Sequence, residues 1–540
     1  MRMITTCPAK SCGGFAVLAG AVALSLGLLV SPVNAQVTAF KQAVAEAAYD
    51  QSTIASFYRE ANYAPLWTGE GDVFVERRSA LFQALTSVEN HGLPASRYDV
   101  AGLVQQMKDA RTTRDIGLVE VALTNMFLKY ARDVQTGILV PSRIDSGIVR
   151  QVQYRDPKTL LATFSNTQPR AFLNSLPPST AEYRNLMKAK IQLESVIAEG
   201  SWGAKVSAGK LEPGDRGPQV VALRNRLIAM GYMERTASMS YDAKLQQAVI
   251  VFQSAHGLAE DGVAGAGTLD EINTSAEARL QSVLVALERE RWTNMERGER
   301  HVLVNLTDFS AKIVDQGEVV FKTKSVIGQN SSDRRSPEFS DVMEHMIVNP
   351  SWHVPRSIMT KEYLPQLQKN PNAARHLIIT DRRGQRVNRE AMDFTQFTAR
   401  NFPFDMRQPP SNSNALGLVK FMFPNRYNIY LHDTPQKSLF KRETRAFSHG
   451  CIRLADPFDF AYALLSLQED DPRGYFQNVL RSGTETKINL EKPLPVHLIY
   501  RTAVISDKGR VEFRRDVYGR DARIWDALSE AGVALSSVQG

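Results

Sequence analysis

The chain has 540 residues, 43% hydrophobic and 23% charged, with 33 glycines and 25 prolines. That composition excludes a disordered or collagen-like protein, and at roughly 100–200 residues per domain the length excludes a single fold. A net charge of +8 suits an anionic polymer or a membrane surface, but no concentrated basic stripe marks a nucleic-acid binder, so nucleic acid is not an expected partner.

Arg2 and Lys10 precede an apolar run from Phe15 to Val30, and Val33-Asn34-Ala35 closes it in a small-x-small pattern. The run is shorter than the roughly 20 residues of a spanning helix. Residues 1–35 are therefore expected to be an export signal removed after Ala35, with an uncleaved N-terminal anchor as the alternative. Cys7 and Cys12 fall inside this segment and leave Cys451 as the one thiol of the remaining chain. It cannot form an internal disulfide, so it is either a buried, inert side chain or a thiol kept for chemistry.

Residues 36–200 have helical periodicity, with Leu81, Leu85 and Val88 on one face and Leu118, Val121, Leu123 and Phe127 on another. No constellation of catalytic groups appears there. Phe57-Tyr58-Arg59 and Trp67 read as core aromatics, and His91-Gly92-Leu93-Pro94 as a helix stop, so this segment is expected to be an all-α scaffold. A Gly, Ser, Lys and Pro-rich linker at 200–218 follows. Gly214-Asp215-Arg216-Gly217-Pro218 then starts a helix carrying Val220, Leu223 and Leu227, and Phe252-Gln253, Gly257-Leu258, Asp261-Gly262 and Thr268 follow in order. Residues 211–274 resemble the three-helix peptidoglycan-binding module.

After a further helix from Arg279 to Trp292, the pattern turns to strands. His301–Leu306 alternates, Ala311–Val314 and Val319–Lys322 flank a hairpin turn at Asp315–Glu318, and Met346–Val348, Val419–Phe423 and Tyr427–Leu431 read as further strands. Residues 360–414 read as a polar insertion, much longer than the median connection of about 4–6 residues, and are expected to be a lid.

Cys451 lies in Ser448-His449-Gly450-Cys451-Ile452-Arg453, and His432 lies upstream in Tyr430-Leu431-His432-Asp433. A thiol that attacks a carbonyl needs a base or a positive field, and His432 and His449 are both candidates. A metal site on His432, His449 and Cys451 lacks any supporting ligand spacing, and a papain-like peptidase would have the reverse Cys–His order. Neither a cofactor nor a metal is expected.

His432, fifteen intervening residues and Ser-His-Gly-Cys, with Arg453 two places on, resemble the signature of the YkuD-type L,D-transpeptidases. Asn349–Pro355, Asn414-Ala415-Leu416-Gly417 and the tail from Pro495 to Asp521 resemble the large members from Gram-negative envelopes. The resemblance implies an α+β multidomain chain: a signal at 1–35, a helical scaffold at 36–200, the small module at 211–274, and a β-rich catalytic domain at 300–525 with 360–414 inserted as a lid. It further implies Cys451 as nucleophile and His432 as base, the latter oriented by the Asp433 backbone carbonyl. His449 and Gly450 would shape the loop, with the N–H groups of Gly450 and Cys451 as oxyanion donors. Arg453, Trp352, Tyr430 and Ser448 are the expected substrate contacts. The implied setting is the periplasm. Peptidoglycan stem peptides and glycan strands would be the partners, other wall-synthesis proteins are further candidates, and carbapenems would be inhibitors. A carboxypeptidase, a lipoprotein-anchoring enzyme of the same family and a non-catalytic wall-binding scaffold are the alternative readings.

Overall fold

The computed structural model describes residues 32–506 and 508–535, with side chains from Thr38 onward. Residues 1–31 of the expected signal segment lie outside this range, whereas the expected cleavage position after Ala35 falls within the helix Pro32–Ala47. No helix of the described residues is long and apolar enough to cross a membrane.

From Pro32 to Ala198 the regular elements are all helices. The longest helix, Thr113–Thr136, is started by a capping box between Thr112 and Asp115. Leu123, Phe127, Tyr130 and Val134 on that helix pack with Trp67, Leu81, Leu85 and Phe164 in one apolar core. His91 ends a short 3-10 turn closed by Gly92 at φ 70°, the helix stop expected from the sequence. The module that follows is built on helices Pro218–Ala229, Ala243–Ala255 and Ala266–Asn273 around Val220, Leu223, Leu227, Val249, Phe252 and Ile272.

The C-terminal part is a mixed sheet built from β1 (Arg300–Asn305), β2 (Ser310–Asp315), β3 (Glu318–Gly328), β4 (Phe339–Val348), β8 (Val419–Met422), β9 (Leu431–His432), β10 (Ala446–Ser448), β11 (Ile452–Leu454) and β12 (Thr486–Ile499). A second, three-stranded sheet holds β5 (Trp352–His353), β6 (Ile378–Thr380) and β7 (Asp405–Gln408). The nine-stranded order is β10-β3-β11-β9-β8-β4-β12-β1-β2, and β2 also pairs with β3, so the sheet returns on itself. The β2–β3 turn places Gln316 at φ 52° and Gly317 at φ 86°. Left-handed backbone at both central positions is what a two-residue hairpin matched to strand twist requires. Inward side chains Val302, Val304, Ile313, Met346, Phe421, Leu431, Ile452 and Leu498 fill the interior.

Helix Ala276–Trp292 is the hub of the molecule and is buried on nearly every side. Its charged end lies in the interior. Arg291 bonds the His91 carbonyl and Tyr183 of the scaffold as well as Glu288, and Glu288 accepts the Leu139 N–H. Arg289 pairs with Glu338, just ahead of β4, and with Asp521 near the C-terminus, and Glu290 pairs with Arg501.

Two expectations need correction. Tyr427–Leu431 is not one strand, because Asn428 adopts φ 53° and the Asn425 side chain ties Phe423, Tyr427 and Ile429 into a turn, leaving only Leu431 in β9. The insertion is not a polar excursion either. Phe394, Phe402, Phe404, Met406, Leu364 and Leu367 form a core of their own together with Trp352 and Leu416, so the packed unit runs from 352 to 416 rather than 360 to 414. Scattered aromatics without period concealed it.

Candidate active site

β9 and β11 are adjacent and parallel, with Leu431 opposite Ile452 and His432 opposite Arg453. Leu431 and Ile452 point into the core, so alternation turns His432, Tyr430, Cys451 and Arg453 to the other face. That face forms part of a cleft of about 730 Å³ that all four residues line. The opposite wall comes from the insertion, at Ser357 to Tyr363, and from Asp333 and Arg334. There the helix from Arg356 to Lys369 widens into a π-turn over Met359–Tyr363. Pro365 explains the widening, since it lacks the amide that would bond the Lys361 carbonyl.

His432 is buried, and its Nδ1 lies 2.5 Å from the Asp433 carbonyl oxygen. A carbonyl can only accept, so Nδ1 carries the proton and Nε2 is left as the acceptor. Burial and then the Arg453 charge hold the imidazole down to about 3, partly offset by the Asp433 and Leu416 carbonyls. The Asp433 carboxylate accepts the Leu418 N–H at 2.9 Å and an ammonium hydrogen bond from Lys437 at 2.7 Å. Gly417, at φ +62°, runs so close to that carboxylate that no side chain fits there.

Cys451 is half-buried. Its thiol donates to the Asn428 carbonyl at 3.4 Å. Burial pushes the thiol up to about 11, against the pull of Tyr430, Arg453 and Lys420. Burial thus opposes charge on both the imidazole and the thiol.

The loop before the thiol is locked from within. The Ser448 hydroxyl donates to the Cys451 carbonyl at 2.6 Å and accepts the Gly450 N–H at 3.1 Å, and the Gly450 carbonyl accepts from Ser336 at 2.6 Å. Gly450 sits at φ +116°, a conformation that favours glycine. Ser448 borders the cleft but is 2% exposed, and its hydroxyl is already committed to bracing the loop. The Gly450 N–H is occupied as well, which leaves the Cys451 N–H as the donor for an oxyanion. His449 turns away from the thiol toward the insertion, where Nε2 meets Glu362 at 2.6 Å, and Glu362 also pairs with Arg334 at 2.7 Å.

Arg453 reaches Gln436 at 2.6 Å and borders both the cleft and a neighbouring pocket of about 330 Å³. Trp352 stands at the same junction, edge-on to Tyr363. Sequence reasoning overlooked Lys420, although the signal was present: Val419 and Phe421 point inward, so Lys420 must face the cleft. Glu362 and Asn428 carried no such signal. Among the described residues no group of His, Cys, Asp and Glu could hold a metal ion.

Residues 299–488, which contain every strand of this cleft, match the family described as "L,D-transpeptidase catalytic domain". The chain carries an L,D-transpeptidase catalytic domain. Ahead of this transpeptidase domain, residues 52–189 match "Scaffold domain" and residues 216–272 match "Putative peptidoglycan binding domain". A curated protein of Haemophilus influenzae named "Putative L,D-transpeptidase" is 30% identical over 267 residues, 48% of this chain and 53% of that protein. The chain thus spans about half the length of that curated relative. Among solved structures, the L,D-transpeptidase (residues 123–326) from Xylanimonas cellulosilytica is 16% identical, with a TM-score of 0.17, covering 54% of this chain and 98% of that one. A fused Zn-dependent amidase/peptidase/peptidoglycan-binding domain-containing protein from Clostridium acetobutylicum is 12% identical, with a TM-score of 0.15, covering 54% of this chain and 99% of that one. Neither likeness carries an argument about the transpeptidase domain.

Proposed function

We propose that this exported protein cross-links peptidoglycan by acyl transfer through Cys451. The reading rests above all on the thiol, just ahead of β11, and the carbonyl-oriented His432, on the adjacent β9, lining one cleft inside the matched domain. His432 Nε2 takes the thiol proton as sulfur attacks the amide between the L-centre and the D-residue of a tetrapeptide stem. The Cys451 N–H stabilises the oxyanion. His432 returns the proton to the departing D-Ala amine, leaving a thioester on Cys451. An amine of a neighbouring stem then attacks the thioester and releases the thiol. The 352–416 unit serves as a lid that limits water at the thioester and so favours the amine acceptor. The module at 216–272 holds the chain on the wall polymer.

The test is mass analysis of stem peptides incubated with purified protein. Wild type should yield cross-linked dimers with loss of D-Ala, and a carbapenem should add one drug mass on Cys451. Cys451→Ala should fold normally and yield neither product. Cross-linking that persists in Cys451→Ala would refute the proposal.

A further inference from the structure

Lys420, His432 and Arg453 form one row across three neighbouring strands. Lys420 on β8 is the cross-strand partner of His432 on β9, and His432 is the partner of Arg453 on β11. Residues paired across a sheet share a face, and all three line the cleft with Cys451. The imidazole therefore sits between an ammonium and a guanidinium, with the thiol two residues before the guanidinium.

Other charged groups around the cleft are neutralised by one another. Arg334 and His449 both engage Glu362, and Lys361 pairs with Asp333. Neither Lys420 nor Arg453 forms an ion pair among the described residues. Arg453 donates to the neutral Gln436, and its Nε is buried with no hydrogen-bond partner. The acid that acts on Lys420 is Glu485, whose carboxylate accepts the Ser351 N–H at 2.6 Å and also feels His353. Two cations without an ion-pair partner among the described residues thus flank His432.

We propose that Lys420 is a positioning residue for acyl transfer: together with Arg453 it supplies the positive field at the Cys451 sulfur that a neutral His432 cannot. This rests on Cys451 being the nucleophile. A protonated His432 would be a third positive charge between two others, so the row keeps the imidazole neutral and able to accept a proton. The same two cations favour negative charge on sulfur as the proton leaves. Directions of ionisation agree, since Lys420 and Arg453 oppose a charged His432 and pull the Cys451 thiol down.

The experiment measures alkylation of the Cys451 peptide by iodoacetamide, from pH 6 to 9, in the full chain without substrate. It compares wild type with Lys420→Met, Lys420→Arg and Glu485→Gln. Below the thiol's midpoint the rate scales with the thiolate fraction, so a ratio of rates reads the shift directly. Lys420→Met should slow alkylation about three- to thirty-fold, the range for loss of one nearby charge under partial screening. Lys420→Arg should stay within about two-fold of wild type, and Glu485→Gln should be faster. Equal rates for Lys420→Met and wild type, or equal slowing by Arg and Met in variants of unchanged melting temperature, would overturn the proposal. If Lys420→Met does not fold, Glu485→Gln decides: a rate equal to or below wild type overturns it. Because no substrate is present, a wild type that alkylates in this charge-dependent way yet never processes stem peptides would sink the proposed function and leave this assignment standing.

Discussion

Replacing Gly417 by alanine tests how the transpeptidase site is held. A Cβ at this position would lie 2.3 Å from both the Cγ and an oxygen of Asp433, and the backbone is at φ +62°. The conformation alone costs an L-residue about 1–2 kcal/mol. The carboxylate must then leave the Leu418 N–H, a buried charge-assisted bond worth about 1.5–3 kcal/mol, whereas the Lys437 partner is half exposed and adds little. The loss should total roughly 3–5 kcal/mol. Gly384, at φ +76° with no atom within 4 Å of where a Cβ would lie, provides the control, since alanine there should cost only the backbone part. Displacing Asp433 also moves the carbonyl that orients His432, so residual activity in Gly417→Ala should fall further than the folded fraction does. Thermal melts and stem-peptide turnover on the two variants supply both readings. A Gly417→Ala protein that melts with Gly384→Ala and turns over like wild type would refute the argument.

Burial depresses His91 and His497 to about 4 and His432 to about 3, and holds His256 well below its usual value. The unfolded chain then binds more protons than the native one below about pH 6.5, so stability should fall as pH drops from about 6.5 toward 4, by up to about 1.4 kcal/mol per unit for each histidine. Denaturant midpoints at pH 7 and pH 5 measure this, and a His91→Gln variant should show a shallower slope. Arg515 joins Glu271 and the Gly267 carbonyl of the module to Glu443 of the transpeptidase domain, so Arg515→Glu should loosen the module and speed protease cutting in the 200–210 linker; an unchanged cutting rate would show that the seat lies elsewhere. Glu362→Gln weakens the tie between His449, Arg334 and the insertion, and should lower the ratio of cross-linked to hydrolysed product, measured by mass.

The spacing that resembles the family signature singled out Cys451 and His432, and both line one cleft. The helical scaffold, the module's three helices and the β2–β3 hairpin were legible through period and turn residues. Contacts that close only in three dimensions were not. Ser448 reads as an exposed loop hydroxyl until Gly450 at φ +116° folds it under Cys451. Nothing local in Leu287-Glu288-Arg289-Glu290-Arg291-Trp292 signals its burial, because the acids and bases that pair with it come from residues as distant as Glu338, Arg501 and Asp521.

That buried helix bears on how freely the parts of this protein can be exchanged. A buried ion pair adds little net stability when complete, yet loss of one partner leaves a charge in the interior at a cost of about 3–5 kcal/mol. Arg291 is matched to scaffold groups, Arg289 to Glu338 ahead of β4 and to the C-terminal helix, and Glu290 to Arg501. A scaffold grafted from a relative would fit only if it brought the same acceptors at the same places. The domains are thus not interchangeable cartridges, and chimaeras cut on either side of 276–292 should fail more often than cuts through the 200–210 linker.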